Sequence, residues 1–287
     1  MSGRQTVQTY QPVLVLRYHD RLDVVRQRLR WLRTLNPGVP VHGIYGGQDV
    51  LPTSFADLFD SHYQLDLLPE LAWRNMDLAL LEWYRAKGQS MSFSHLYVHE
   101  WDLVYLAPLT QVVPQPRVGQ SLLTGYTPLS MVEWKWDWTN GKRLGPLNEW
   151  LELKRFVAGV YHFYGPYYAS IGPGAVLSRE FLEYYMTLEL PLLCNDALRL
   201  PLVHAIGKLS VADTGLYPPD WYQPEHVDWI RRFNVRKWDV EPSLVVREAR
   251  HGYTAFHPVS NLLDEKLLKR SLSRYNVSGS APHVIGS

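Results

Sequence analysis

An apolar run, His95-Leu96-Tyr97-Val98-His99, ends in Glu100-Trp101-Asp102, two carboxylates one residue apart. A short apolar run bounded by polar residues reads as a buried strand, and acidic side chains at its C-terminal edge stand where open α/β sheets bind ligands. Side chains at i and i+2 of an extended segment share a face. Both carboxylates then look into one cleft, where a hard divalent cation such as Mg2+ or Mn2+ accepts their oxygens and itself holds a diphosphate. A strand that merely turns at polar residues has the same spelling. Far along the chain, Phe256-His257-Pro258 fixes a histidine in extended backbone ahead of a proline, as a ligand or as a hydrogen-bonded structural residue. Asn195-Asp196 sets a further carboxylate at the opening of a late helix.

The elements that must position these groups begin with a β-α-β unit. Pro12-Val13-Leu14-Val15-Leu16 is a buried-strand pattern, and Leu22, Val25, Leu29 and Leu32 mark one face of the helix that follows. Asp20 is the expected N-cap and Asn36-Pro37-Gly38 the stop. A second strand over 39–45 ends in Gly46-Gly47, so the opening predicts a parallel sheet. Tyr18, His19, Tyr45 and Gly46 fall at the carboxyl ends of those strands, the usual place for a nucleotide, or are ordinary loop residues. Residues 58–63 read as a short strand or a turn. A helix with Met76, Leu80 and Trp83 buried feeds the 95–100 strand, which puts Trp73, Asn75 and Asp77 at the same sheet edge. Asn75 is expected there as an N-cap more than as a ligand contact.

Beyond residue 109 the alternation changes. Residues 121–126 read as a strand. Trp134, Trp136 and Trp138 alternate with charges, which places three indoles on one side of an extended segment, either lining an acceptor-sugar groove or covering the core. Small residues over 169–177 let backbone approach a ligand closely before Ser178 caps a helix. The helix opened by Asp196 runs through Leu198, Leu202 and Ile206 to Gly207, with Pro201 inside it, and a strand follows at 209–212. After Asn261 come one short charged helix and a polar tail.

With 287 residues, 46% of them hydrophobic, the chain buries a sizeable core. A net charge of +1 without blocks of like charge gives no electrostatic case for nucleic acid. The single cysteine, Cys194, excludes an internal disulfide framework. No apolar run reaches the roughly eighteen residues of a transmembrane span, and the first residues lack a signal-type apolar core. The expectation is a soluble cytoplasmic protein. Arg26, Arg30 and Arg33 line the first helix opposite its leucines, a face for peripheral contact with an anionic membrane, for phosphate, or for solvent.

Taken in order, the strand ending Leu16-Arg17-Tyr18-His19, the strand ending Tyr45-Gly46-Gly47, Glu100-Trp101-Asp102, Asn195-Asp196 and Phe256-His257-Pro258 resemble the GT-A fold of nucleotide-diphosphosugar glycosyltransferases. The resemblance implies one Rossmann-like α/β domain over 10–260, with a mostly parallel central sheet flanked by helices. Residues 10–108 would form the nucleotide-binding half and 109–260 the acceptor-binding half, with 261–287 as a C-terminal helix and flexible tail. It implies a metal-dependent transferase that moves a sugar from a UDP- or GDP-sugar to a glycan or other hydroxyl acceptor, with Mn2+ or Mg2+ as cofactor. Asp102 would be the main metal ligand. Glu100, an aspartate more often in that family, would reach the metal or the ribose, and His257 would complete the metal shell. Arg17, Tyr18, His19, Tyr45, Gly46, Trp73, Asn75, Asp77, Glu100 and Trp101 would line the donor site. Asp196 would be the acceptor-side contact or the general base; a carboxylate in the first turn of a helix is expected to have a lowered pKa, which weakens it as a base.

Two other readings compete. A nucleotidyltransferase on a similar sheet usually has a glycine-rich phosphate loop after the first strand, and this chain has Arg17-Tyr18-His19-Asp20-Arg21 there. A non-catalytic carbohydrate-binding protein would use the three tryptophans and leave Glu100, Asp102 and His257 without a role. No G-x-x-x-x-G-K-[ST] motif occurs.

Overall fold

Alternation along the first strand decides how the sheet is covered. In a computed structural model describing residues 10–218, 231–235 and 238–275, β1 spans Pro12–Tyr18. Leu14 and Leu16 pack on one face of the sheet with Val25, Leu29 and Leu32 of α1 (Leu22–Leu35). Val13 and Val15 pack on the other, against Met76, Ala79 and Leu80 of α4 (Met76–Ala86). Each such aliphatic side chain contributes about 1.5–3 kcal/mol when fully buried.

The central sheet has seven strands in the order β3-β2-β1-β4-β7-β6-β8. Here β2 is Val41–Tyr45, β3 Ser61–Gln64, β4 His95–Glu100, β6 Ser121–Pro128, β7 Tyr168–Ser178 and β8 Val211–Asp213. The pairs β3–β2, β2–β1, β1–β4 and β6–β8 are parallel, while β7 is antiparallel to both β4 and β6. Only β7 therefore runs against the rest, and the mostly parallel α/β architecture expected from the sequence is what the chain forms. The ambiguous 58–63 stretch resolves into a turn leading into β3.

A second, two-stranded sheet pairs β5 (Val104–Tyr105) antiparallel with β9 (Ala255–Phe256). Val104 and Phe256 form a separate core with α9 (Pro242–Arg250), α10 (Glu265–Tyr275) and Trp31 and Leu35 of α1, while Tyr105 and Ala255 pack against the main core. The remaining helices are α2 (Thr53–Ala56), α3 (Pro69–Arg74), α5 (Leu109–Val112), α6 (Leu144–Tyr161), α7 (Arg179–Tyr185) and α8 (Asp196–Gly207). The polar tail expected after the last helix lies outside the described residues.

Several local expectations are corrected. Asp20 is not the cap of α1: Arg21 takes that position with φ 53, and the Asp20 carboxylate instead accepts the Arg21 amide at 2.6 Å. Asn75 does take the N-cap position of α4, as expected, but its side chain makes no capping bond: Nδ2 donates back to Leu71 O at 3.1 Å, because the chain breaks between α3 and α4 at that residue. The tryptophans do not share one side of an extended segment. They lie on turns, so Trp136 is buried, Trp138 half-buried beneath the Arg74 guanidinium, and Trp134 exposed. The basic face of α1 is largely engaged within the chain: Arg30 pairs with Glu265, Arg33 with Asp60, and Arg26 lies over the Phe55 ring. Its charge is thus spent on internal partners.

Candidate metal and donor site

Glu100 is the last residue of β4, and its register partner on β1 is Arg17. Partners on adjacent strands point to the same face, so Arg17 Nη1 meets Glu100 Oε1 at 3.0 Å while its Nη2 donates to Ala72 O at 2.7 Å. The chain then turns: Trp101 N donates to Arg17 O, and Leu103 N to Glu100 O, each at 3.0 Å. That turn carries Asp102 round to the side where β5 meets β9. There Val259 N donates to Asp102 O at 2.7 Å, which seats His257 beside the acidic pair. His257 Nε2 lies 3.5 Å from Glu100 Oε2 and 3.5 Å from Asp102 Oδ1. Ligand atoms of Glu100, Asp102 and His257 all fall within 4.8 Å of one another.

Proton positions follow from the partners. His257 Nδ1 is 2.6 Å from the carbonyl of Asn234, which only accepts, so Nδ1 carries a hydrogen. A neutral His257 therefore presents a bare Nε2 lone pair to the carboxylates, the arrangement in which a second group fixes the tautomer of a metal-binding histidine. Without a cation, burial disfavours the imidazolium, but the Asp102 charge and hydrogen bonds to Asp102 and Glu100 outweigh it and hold the ring well above the usual histidine range. Burial likewise pushes Glu100 up, yet the His257 hydrogen bond and the charges of Arg17 and His257 hold it below the usual carboxylate range.

Beneath the cluster, Asp77 is buried and paired with Arg199 at 3.1 Å, and the Tyr185 hydroxyl donates to the same Asp77 oxygen. Arg199 also donates to that hydroxyl at 2.9 and 3.1 Å. Asp77 Oδ1, Asn75 Oδ1, Asn195 Oδ1 and Arg199 Nη1 have no hydrogen-bond partner among the described residues. Next to this network, Asp196 Oδ2 accepts the Met76 amide at 3.3 Å, and a Cβ added at Gly172 would stand 3.2 Å from that oxygen. The lowered pKa expected of Asp196 is corrected: burial first, and then the Asp77 charge, push it up to about 7, outweighing Arg17 and the Met76 amide.

The structure disperses the rest of the expected donor set. His19 is exposed and meets Trp101 edge-on at 5.6 Å, flanking the cluster, and Trp73 is exposed one residue beyond the Arg17-bound carbonyl. Tyr18 lies in the core, its hydroxyl 2.8 Å from His62 Nε2 and its ring stacked on Phe59. Tyr45 is also buried, with its ring on Tyr18 and its hydroxyl folded under Gly47, where a Cβ would stand only 2.2 Å away. Gly46 donates its amide to Tyr18 O at 2.8 Å and tightens the end of β2. Asn75 and Asp77 sit at the intended edge but inside it, each 1% exposed.

Sequence reasoning passed over Arg199, Tyr185, Glu149 and Asn234. Glu149 holds Arg74 and accepts the Cys194 amide at 2.9 Å, tying α6 to the start of α8. One signal was present: Asp77 and Arg199 are charges set among the apolar residues of helical runs, where an unpaired charge is expensive and a partner is implied.

No protein-family model matches the chain, and no curated protein matches it. Solved structures do. The apo bifunctional glycosyltransferase WbbM gives a TM-score of 0.38 at 10% identity, over 73% of this chain and 40% of its own. The galactosyltransferase LgtC, in complex with donor and acceptor sugar analogues, gives 0.40 at 11% identity, over 76% and 77%. An active-site mutant of LgtC gives 0.35 at 10% identity, over 62% and 60%. The chain thus spans less than half the length of the first of these.

Proposed function

We propose that this chain is a metal-dependent glycosyltransferase that moves a sugar from a nucleoside-diphosphate donor to a hydroxyl acceptor, with Mn2+ or Mg2+ held by Glu100, Asp102 and His257. The observation that supports this is the convergence of those three side chains at the carboxyl ends of parallel strands β1 and β4, the place where such sheets take nucleotides. The donor set fits a cation. Two ligands at about 2.1 Å from one ion lie at most about 4.2 Å apart, and the two 3.5 Å separations fall inside that limit. Two carboxylate oxygens with one imidazole nitrogen suit Mn2+ better than Mg2+.

Bound there, the cation would offset the negative charge that grows on a diphosphate leaving group. The chain's own residues do the rest. Arg17 fixes the Glu100 carboxylate, leaving Oε2 turned to the cluster. Asn234 fixes the His257 tautomer. Trp101 and His19 offer ring faces beside the cluster for a base or sugar. Asp196, at the N-terminus of α8 with its pKa raised to about 7, is suited to take the proton of the acceptor hydroxyl near neutral pH.

Calorimetry with UDP and GDP, each with and without Mn2+, tests this reading. Binding of one nucleotide that requires the metal is the expected result, and metal-independent binding or none of either would refute it.

A further inference from the structure

On the α9/α10 side of the small sheet, a cavity of about 210 Å³ opens between the two helices. Its floor includes Leu106, Val246 and Leu267, and its rim carries Arg250, Arg270 and Arg274. None of these six belongs to the metal cluster or its supports. All three arginines are exposed, as are Lys266 and Lys269 on the same helix as Arg270. Of the neighbouring acids, Glu248 is engaged by Arg232 at 3.4 Å and Arg247 at 2.9 Å and Glu265 by Arg30, while Asp264 accepts the Lys266 backbone amide at 2.8 Å. Arg274 donates to Ala249 O at 3.2 Å and so joins α10 to α9. Among the described residues, Arg250, Arg270, Lys266 and Lys269 have no carboxylate within ion-pair distance.

Three guanidinium groups around one opening match a phosphate, because each offers planar, paired donors with a fixed charge. A free phosphate would need only the rim. The apolar floor adds room for a few methylenes, given that a water molecule occupies about 30 Å³.

We propose that this cleft binds the phosphate of an anionic lipid at a bilayer surface, the three arginines on the headgroup and the first carbons of the chain over Leu106, Val246 and Leu267. The contact is peripheral: among the described residues no helix is long and apolar enough to cross a membrane. The α1 arginines are not among its lining residues and pair within the chain, Arg30 with Glu265 and Arg33 with Asp60.

The test is sedimentation of the full chain with vesicles of phosphatidylcholine alone and of phosphatidylcholine with phosphatidylglycerol, alongside calorimetry with inorganic phosphate. The protein should sediment with the anionic vesicles only, less so as salt rises. Arg250→Glu with Arg270→Glu should weaken that binding by about tenfold or more, with unchanged circular dichroism. Val246→Trp, which fills the cavity without altering charge, should also weaken it. Unchanged binding of the arginine variant, equal binding to neutral vesicles, or no vesicle binding overturns the proposal. Binding of inorganic phosphate without vesicle binding assigns the cleft to free phosphate instead, and an unaffected Val246→Trp variant removes the lipid chain from it.

Discussion

The amide of Val259 donates to the carbonyl of Asp102 at 2.7 Å, and this bond joins the turn after β4 to a segment near the other end of the chain. With the β5–β9 pairing just beside it, it makes one cluster of a carboxylate pair and a histidine. The cluster is therefore held by backbone, and its side chains are free to be changed without dismantling the fold.

Asp102→Asn and His257→Ala are expected to abolish Mn2+-dependent nucleotide binding while preserving the folded state. Titration calorimetry and circular dichroism check the two halves of that statement. Wild-type affinity in both variants would remove these residues from the metal site.

Arg17→Met should retain the site but leave Glu100 free to rotate. Groups that orient a metal ligand typically contribute 10- to 100-fold in metal affinity. A loss of at least about tenfold in Mn2+ affinity is expected, measured by nucleotide binding at varied Mn2+. An effect equal to that of Asp102→Asn would instead make Arg17 a direct contact.

Asp77→Ala leaves Arg199 buried without its carboxylate. Breaking a buried pair in this way costs about 3–5 kcal/mol, so denaturant unfolding should move to a markedly lower midpoint. Replacing both at once, Asp77→Leu with Arg199→Met, should recover much of the loss. A double variant no better than the single one would show that the pair is not the source.

Asp196 couples stability to pH. Its folded pKa of about 7 lies above its ordinary value of 3.8. The folded state therefore holds a proton that the unfolded chain has released across that interval. Its stabilising contribution is full below about pH 4 and is lost as pH rises through about 7, with a slope of at most about 1.4 kcal/mol per pH unit. Asp196→Asn should flatten that part of the curve in urea unfolding. In the transferase reading, wild-type kcat/KM should rise with pH through about 7, a limb the variant lacks; a wild-type profile flat across that range would take the proton-accepting role from Asp196.

The β-α-β opening, the mostly parallel sheet and the carboxylates at the end of β4 and the start of α8 are legible in the sequence. These rest on local periodicity: Leu14 and Leu16 against Val13 and Val15 in the strand, and Leu29 and Leu32 in the helix, are written in consecutive residues. It also marked Glu100, Asp102 and His257 as ligand types. Which of the marked residues meet depends on contacts between distant parts of the chain. Tyr18 and Tyr45 lie on the right strands but turn into the core, Asp77 is sealed in by Arg199 and Tyr185, and the α1 arginines are taken by Asp60 and Glu265. The same holds for the basicity of Asp196. Its helix position argues for a low pKa, and burial beside Asp77 reverses that, because the cost of charge depends on surroundings assembled from distant parts of the chain.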